Sequence, residues 1–368
     1  MIKDTDQKDM ICRHFAAQNY YVQPEVAVFY KGGMHEIRKP ITDIDVLALR
    51  PSLDLRWELI LADCKTLKGQ SPANRILWLR GLMEYFSASS GIILLQRTQR
   101  IENEHKLFAA SLQINLLDEV EFDSFDKIIV YPIGSSQNNL SVNSINGLRF
   151  IHNKYQNLKT FCEYIYSYAW NEENRLQLIR KVIGEAQTVY QEIDPNKTEH
   201  LALTLDATGL FAIGLAECVG MIFNQYLQPK TLNELDNALK IIIWGGKSQY
   251  DLLAKLRHEI LITKGRQPGP EGALSLPFWD RFLNLVRNML ENPRLCFYIP
   301  QIMREAALDV YHGRDFLANR TKEDLLLIKF AMLVSNYFCK AVSFPSQTNE
   351  MLEKKFIKKQ SDLIHKAD

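Results

Sequence analysis

Asp63 and Lys65 stand two residues apart in "ELILADCKT" (58–66), at the end of an apolar run of the kind that forms a buried strand. Residues two apart on a strand share a face. Trp57, Leu59, Leu61, Asp63 and Lys65 therefore fall on one side, with Glu58, Ile60, Ala62 and Cys64 on the other. Asp43 and Asp45 share a face in the preceding apolar segment, "TDIDVLALR". If the two segments pair, Asp45, Asp63 and Lys65 converge at one end of a sheet. A buried carboxylate left without a counter-charge costs roughly several kcal/mol, so this grouping predicts partners for each acid. Two carboxylates with a strand carbonyl make a hard-oxygen site that suits Mg²⁺ or Mn²⁺ better than zinc. Such a site polarises a phosphate ester and, with Lys65, generates and orients an attacking hydroxide. The competing reading is a structural ion-pair cluster at the sheet's end.

The elements that must position these residues follow from hydrophobic periodicity. "KDMICRHFAAQNY" places Ile11, Phe15 and Ala16 at helical spacing, and "EVAVFYKGG" reads as a strand running into a turn. The two acidic strands come next, separated by "PSLD". "SPANRILWLRGLMEYFSASS" predicts a helix with Ser71 as N-cap, Pro72 at its first position and a Leu79, Leu82, Met83, Phe86 stripe. "GIILLQ" is a strand, "RIENEHKLFAASLQ" a helix, and "INLLDEVEF" a short last strand with its exit. The order αβββαβαβ predicts an α/β domain over residues 1–130, a mixed sheet flanked by helices. The Gly-, Ser- and Asn-rich segment 131–147 reads as a linker, and 148–368 as an all-α domain for targeting, oligomerisation or partner binding. Thr231 to Glu234 has the pattern of a capping box.

Lys plus Arg total 44 against 43 Asp plus Glu, so any pull on a polyanion has to be local. One local patch exists. Lys65, Lys68, Arg75, Arg80, Arg97 and Arg100 face a single acid, Glu84, over 65–100, and the last five are candidate DNA contacts. A solvated helix face explains that run equally well. Six scattered cysteines with no CxxC pair argue against zinc or a disulfide framework and predict a reducing, cytoplasmic setting. The charged N-terminus predicts no secretory signal. "GLFAIGLAECVGMIF" (209–223) is too short for a bilayer core of about 30 Å and predicts a buried helix, with no membrane partner.

"TDIDVLA" and "DCK", set after a helix and strand and before a helix and strand, resemble the PD-(D/E)XK nuclease superfamily, in particular its Mrr-type and resolvase-like restriction endonucleases. The resemblance covers roughly residues 1 to 125. It implies a restriction-endonuclease-like fold and a Mg²⁺- or Mn²⁺-dependent DNA endonuclease of a restriction, anti-phage defence, mobile-element or repair setting. Asp45 matches the metal-binding Asp, Asp63 the acid of the (D/E)xK pair and Lys65 its lysine. Asp43 falls where many relatives carry a Glu. Relatives often place a further Glu in the first helix, where this sequence has Lys8 beside Asp9. Asp9, with Glu25 on the first strand, is the candidate for that acid. A homodimer or a protein partner, held through the helical domain, would help deliver the substrate. The alternative is an inactive nuclease fold serving as an interaction scaffold or nucleic-acid-binding module.

Overall fold

A computed structural model describes residues 4–30, 39–65, 71–96, 101–129, 140–265 and 274–365. The chain divides into two compact units. The first comprises Met1–Ser52, Trp57–Glu173 and Arg304–Thr321, and the second Leu53–Arg56, Asn174–Met303 and Lys322–Asp368.

The first unit begins with α1 (Thr5–Ala17), β1 (Tyr21–Phe29), β2 (Pro40–Pro51) and β3 (Trp57–Lys65). It continues with α2 (Pro72–Phe86), β4 (Ser90–Leu95), α3 (Asn103–Ser111) and β5 (Ile114–Asp118), reproducing the αβββαβαβ order. The sheet runs β1-β2-β3-β4-β5. Short connections make β1, β2 and β3 antiparallel neighbours, whereas the helical crossovers α2 and α3 bring β4 and β5 in parallel. The central strands are buried on both faces, which is why β3 and β4 read as apolar runs. Helix α2 buries Ile76, Leu79 and Met83. Ser71 occupies its N-cap position without a side-chain capping bond, and Pro72 takes the first turn.

Beyond β5 the structure departs from the sequence expectation in two respects. The segment expected as a strand exit is the helix α4 (Glu119–Ile129). Its start is a capping box: Asp118 Oδ1 accepts from the backbone N–H groups of Val120 (2.9 Å) and Glu121 (2.8 Å), while Glu121 Oε2 accepts from the Asp118 N–H (3.2 Å). The division of the chain also lies elsewhere than at 131–147. Residues 130–139 are outside the described residues, but α5 (Val142–Arg149) and α6 (Lys159–Tyr166) belong to the sheet-bearing unit. The physical reason is the outer edge of β1, whose backbone groups need partners. Asn171 accepts from the Phe29 N–H (2.9 Å) and donates to the Ala27 carbonyl (2.8 Å). Arg149 donates to the carbonyls of Pro24 and Glu25, both at 2.8 Å. Arg304, fully buried, donates to the Val22 carbonyl (3.1 Å) and Gln23 Oε1 (2.9 Å).

The second unit is helical: α7 (Gln177–Thr188), α8 (Thr198–Tyr226), α9 (Leu232–Ile243), α10 (Lys247–Thr263), α11 (Trp279–Met289) and α12 (Pro293–Cys296), then, after α13 (Ile299–Tyr311), α14 (Leu325–Val342) and α15 (Ser346–His365). Thr231 caps α9 by accepting from the Glu234 N–H, but the reciprocal arm of the expected box reaches the Lys230 N–H. Among the described residues two segments, Thr198–Tyr226 and Lys322–Val342, are long and apolar enough to cross a membrane by length and composition. Their apolar stretches are 89% and 61% buried inside the chain, as core helices are. Helix α10 contrasts with them. It has no fully buried residue and leaves Leu252, Leu256 and Ile260 exposed one turn apart.

Candidate active site

The ladder between β2 and β3 runs from Pro51↔Trp57 to Val46↔Ala62 and stops there. Beyond this point Asp45 Oδ2 accepts a hydrogen bond from the Cys64 backbone N–H at 2.7 Å. The carboxylate thus satisfies a strand donor where the ladder ends, which fixes Asp45 beside Asp63. Both are almost completely buried, 3% and 1% exposed. Lys65 Nζ faces the two acids together, 3.5 Å from Asp45 Oδ2 and 3.7 Å from Asp63 Oδ1. The predicted convergence of Asp45, Asp63 and Lys65 is present.

Three further side chains complete the cluster. Lys8, on α1, lies 2.9 Å from Asp45 Oδ1 and also pairs with Glu25. Glu25 sits opposite Asp45, between the pairs Pro24↔Val46 and Val26↔Ile44, with φ of 57°. A non-glycine residue in the left-handed region costs about 1 to 3 kcal/mol and tends to mark a functional or over-determined position. Here the Arg149 bond to its carbonyl and the Lys8 bond to its side chain hold it. Arg75, four residues into α2, makes a bidentate pair with Asp63, through Nε to Oδ2 at 2.9 Å and through Nη2 to Oδ1. Its guanidinium also stacks 4.0 Å from the centre of the Trp78 ring.

Electrostatics separate the two central acids. Burial disfavours the Asp45 carboxylate, but Lys8 and Lys65, with the Cys64 N–H, outweigh it and hold the pKa below the usual carboxylate range. For Asp63 burial prevails. It pushes the pKa up to about 6 against the pull of Arg75 and Lys65, with the Asp45 charge adding to the rise. Burial likewise disfavours the Lys8 ammonium, but Asp45 and Glu25 more than compensate, holding it above the ordinary lysine value. Neighbouring acids whose pKa values are driven apart are characteristic of acid–base sites.

No protein-family model, curated protein or solved structure matches this chain. The assignment of the site therefore rests on its own geometry.

Glu25 is in the cluster, reached through Lys8. Asp9 is not: its Oδ1 accepts from the Val142 N–H at 2.7 Å, at the start of α5. Asp43 is exposed opposite Ala27, past the last β2–β3 pair. Of the candidate DNA contacts, Arg75 is inside the site, and Arg80 binds Gln113 (3.2 Å) and Glu84 (3.3 Å) on α2's outer side. Lys68, Arg97 and Arg100 lie outside the described residues. Sequence reasoning misses Lys8 and the Asp63-bound role of Arg75, although both leave a signal. Lys8 continues the Ile11, Cys12, Phe15 stripe, and Arg75 precedes Leu79 and Met83 at four-residue spacing. A charge on an apolar stripe asks for a buried partner.

Among the described residues no three of His, Cys, Asp and Glu are grouped to hold a metal ion. The donor set is two carboxylates, Asp45 and Asp63, with oxygens turned toward one point beside Lys65. It fits one hard divalent cation, provided that Asp63 is released from Arg75.

Proposed function

We propose that this chain is a metal-dependent nuclease whose first unit has a PD-(D/E)XK-type, restriction-endonuclease-like fold. The observation that carries the reading is the meeting of Asp45, Asp63 and Lys65 where β2 and β3 part, both acids buried and their pKa values driven apart. An antiparallel β1–β2–β3 meander followed by parallel β4 and the helix order of the unit support the fold assignment.

Asp45 and Asp63 would hold Mg²⁺ or Mn²⁺, and the chemistry supplied by such an ion is Lewis-acid polarisation of a phosphodiester. The chain's own residues do the rest. Lys8 and the Cys64 N–H keep Asp45 ionised and oriented. Lys65, within 3.7 Å of both acids, would offer its ammonium to the negative charge that builds on the phosphate oxygens as water attacks phosphorus and one P–O ester bond breaks. The proton lost by the water balances the one taken up by the leaving oxygen. The test is conversion of supercoiled plasmid to nicked or linear DNA in Mg²⁺ or Mn²⁺. Activity is expected for the wild type and its loss for Asp63→Ala and Lys65→Ala; equally intact DNA in all three refutes the reading.

One observation favours the second reading, an inactive nuclease fold acting as an interaction module. Glu25, Asp45 and Asp63 are already matched by Lys8, Lys65 and Arg75. The exposed Leu252, Leu256 and Ile260 of α10 offer a surface for such a role. Retained binding of DNA without cleavage would decide for it.

A further inference from the structure

The cluster contains three buried or half-buried carboxylates and three cations, so it is neutral as it stands. Adding a divalent ion to such an enclosed neutral group is unfavourable unless a cation leaves. The three cations differ in how readily they can do so. The Lys8 side chain is 5% exposed and is shared by two carboxylates, so its departure strands both. Lys65 belongs to β3 itself and stands off at 3.5 and 3.7 Å, so the nearest donors to the oxygens it faces are others, the Cys64 N–H on Asp45 Oδ2 and Arg75 on Asp63 Oδ1. Arg75 is 14% exposed, binds only Asp63 among the three acids, and covers both of its oxygens. It therefore blocks the atoms a metal would need. It is also the cation with somewhere to go, since it lies in the first turns of α2 with its guanidinium already resting on Trp78. The positive end of that helix favours an arriving anion. A phosphodiester offers the guanidinium the same two-oxygen geometry as a carboxylate, without the cost of enclosing the anion.

We propose that Arg75 is the exchangeable counter-ion of this site: it passes from Asp63 to a phosphate of the nucleic acid, and so couples metal binding to substrate binding. This rests on the nuclease reading above and adds to it an order of events. In the free protein Asp63 is masked; with a phosphate bound to Arg75 it is available. Because coupling is reciprocal, a divalent ion must raise the affinity for DNA by the factor by which DNA raises the affinity for the ion.

The experiment is calorimetric titration of the full chain with Mn²⁺, alone and in the presence of a hydrolysis-resistant phosphorothioate DNA duplex. It is repeated for Arg75→Ala and Arg75→Lys, with circular dichroism as a check of folding. For the wild type the Mn²⁺ affinity is expected to rise about tenfold when the duplex is present. In Arg75→Ala the free protein should already bind Mn²⁺ at the higher affinity, and the duplex should add nothing. Arg75→Lys, which keeps a charge for Asp63 but not the two-pronged geometry, should fall between. It keeps the test available if the alanine variant does not fold. Equal Mn²⁺ affinity with and without DNA in the wild type, unchanged by either substitution, overturns the exchange while leaving the metal site standing. Absence of Mn²⁺ binding in every variant, with or without DNA, overturns the nuclease reading and the exchange with it.

Discussion

Replacing Lys8 by Met tests whether the cluster is a balanced set. Methionine has a similar length and adapts its shape, so the substitution removes the ammonium with little loss of packing. What remains is Asp45, 3% exposed, and Glu25, 18% exposed at its side chain, sharing one cation fewer. Breaking a buried pair by removing one partner costs about 3 to 5 kcal/mol, because the charge left behind is uncompensated. Asp45 should also lose its depressed pKa, since Lys8 is the largest charge holding it down. The assay is urea unfolding followed by tryptophan fluorescence, for which Trp57 and Trp170 are buried reporters in the sheet-bearing unit. Adding Glu25→Gln removes the second stranded charge and should restore part of the loss, with a coupling energy of about 1 to 3 kcal/mol. A Lys8→Met protein within about 1 kcal/mol of wild type, or a double variant that is simply additive, would refute the reasoning.

Asp63 has the opposite sign. Its folded pKa of about 6 lies above the ordinary 3.8, so the ionised form costs stability above pH 6 and the cost disappears as the pH falls toward 4. The stability of Asp63→Asn relative to wild type should therefore fall by about 2 kcal/mol between pH 7 and pH 4; unfolding curves that keep a constant gap would contradict this. Asp9→Ala should cost about 1 kcal/mol by leaving the Val142 N–H at the start of α5 without its carboxylate acceptor, while leaving Mn²⁺ binding at wild-type strength in a calorimetric titration. In the second unit, a Cβ added at Gly214 would fall 2.9 Å from the Arg175 carbonyl and 3.0 Å from the Ile179 N, so Gly214→Ala should force α7 and α8 apart and lower the melting temperature.

Much of the first unit is legible in the sequence because its signals are local. Alternating faces in "TDIDVLALR" and "WELILADCK" are enough to bring Asp45, Asp63 and Lys65 together, and the Pro72 start and Leu79–Met83 stripe place α2. Helix α4 is equally local, but its Asp118–Glu121 capping box passes for the tail of a strand when only the apolar run is followed. The identity of the third acid is not local at all. Glu25 joins the cluster because a backbone turn to positive φ, held by Arg149 far along the chain, aims it at Lys8. The position of the unit boundary depends on the same kind of contact, since Asn171 and Arg304 complete the edge of β1 from more than a hundred residues away. No window of sequence contains both partners of such a bond.

The most direct test of the central claim, that Asp45, Asp63 and Lys65 act as one catalytic unit, is the single-turnover cleavage rate of DNA by Asp63→Ala, Lys65→Ala and the double variant. Residues that act together lose nearly the whole effect with the first removal. Each single variant is predicted to fall by about 10³-fold or more, and the double variant to be scarcely slower than either. Wild-type rates in the single variants, or no cleavage by the wild-type protein itself, would contradict the account.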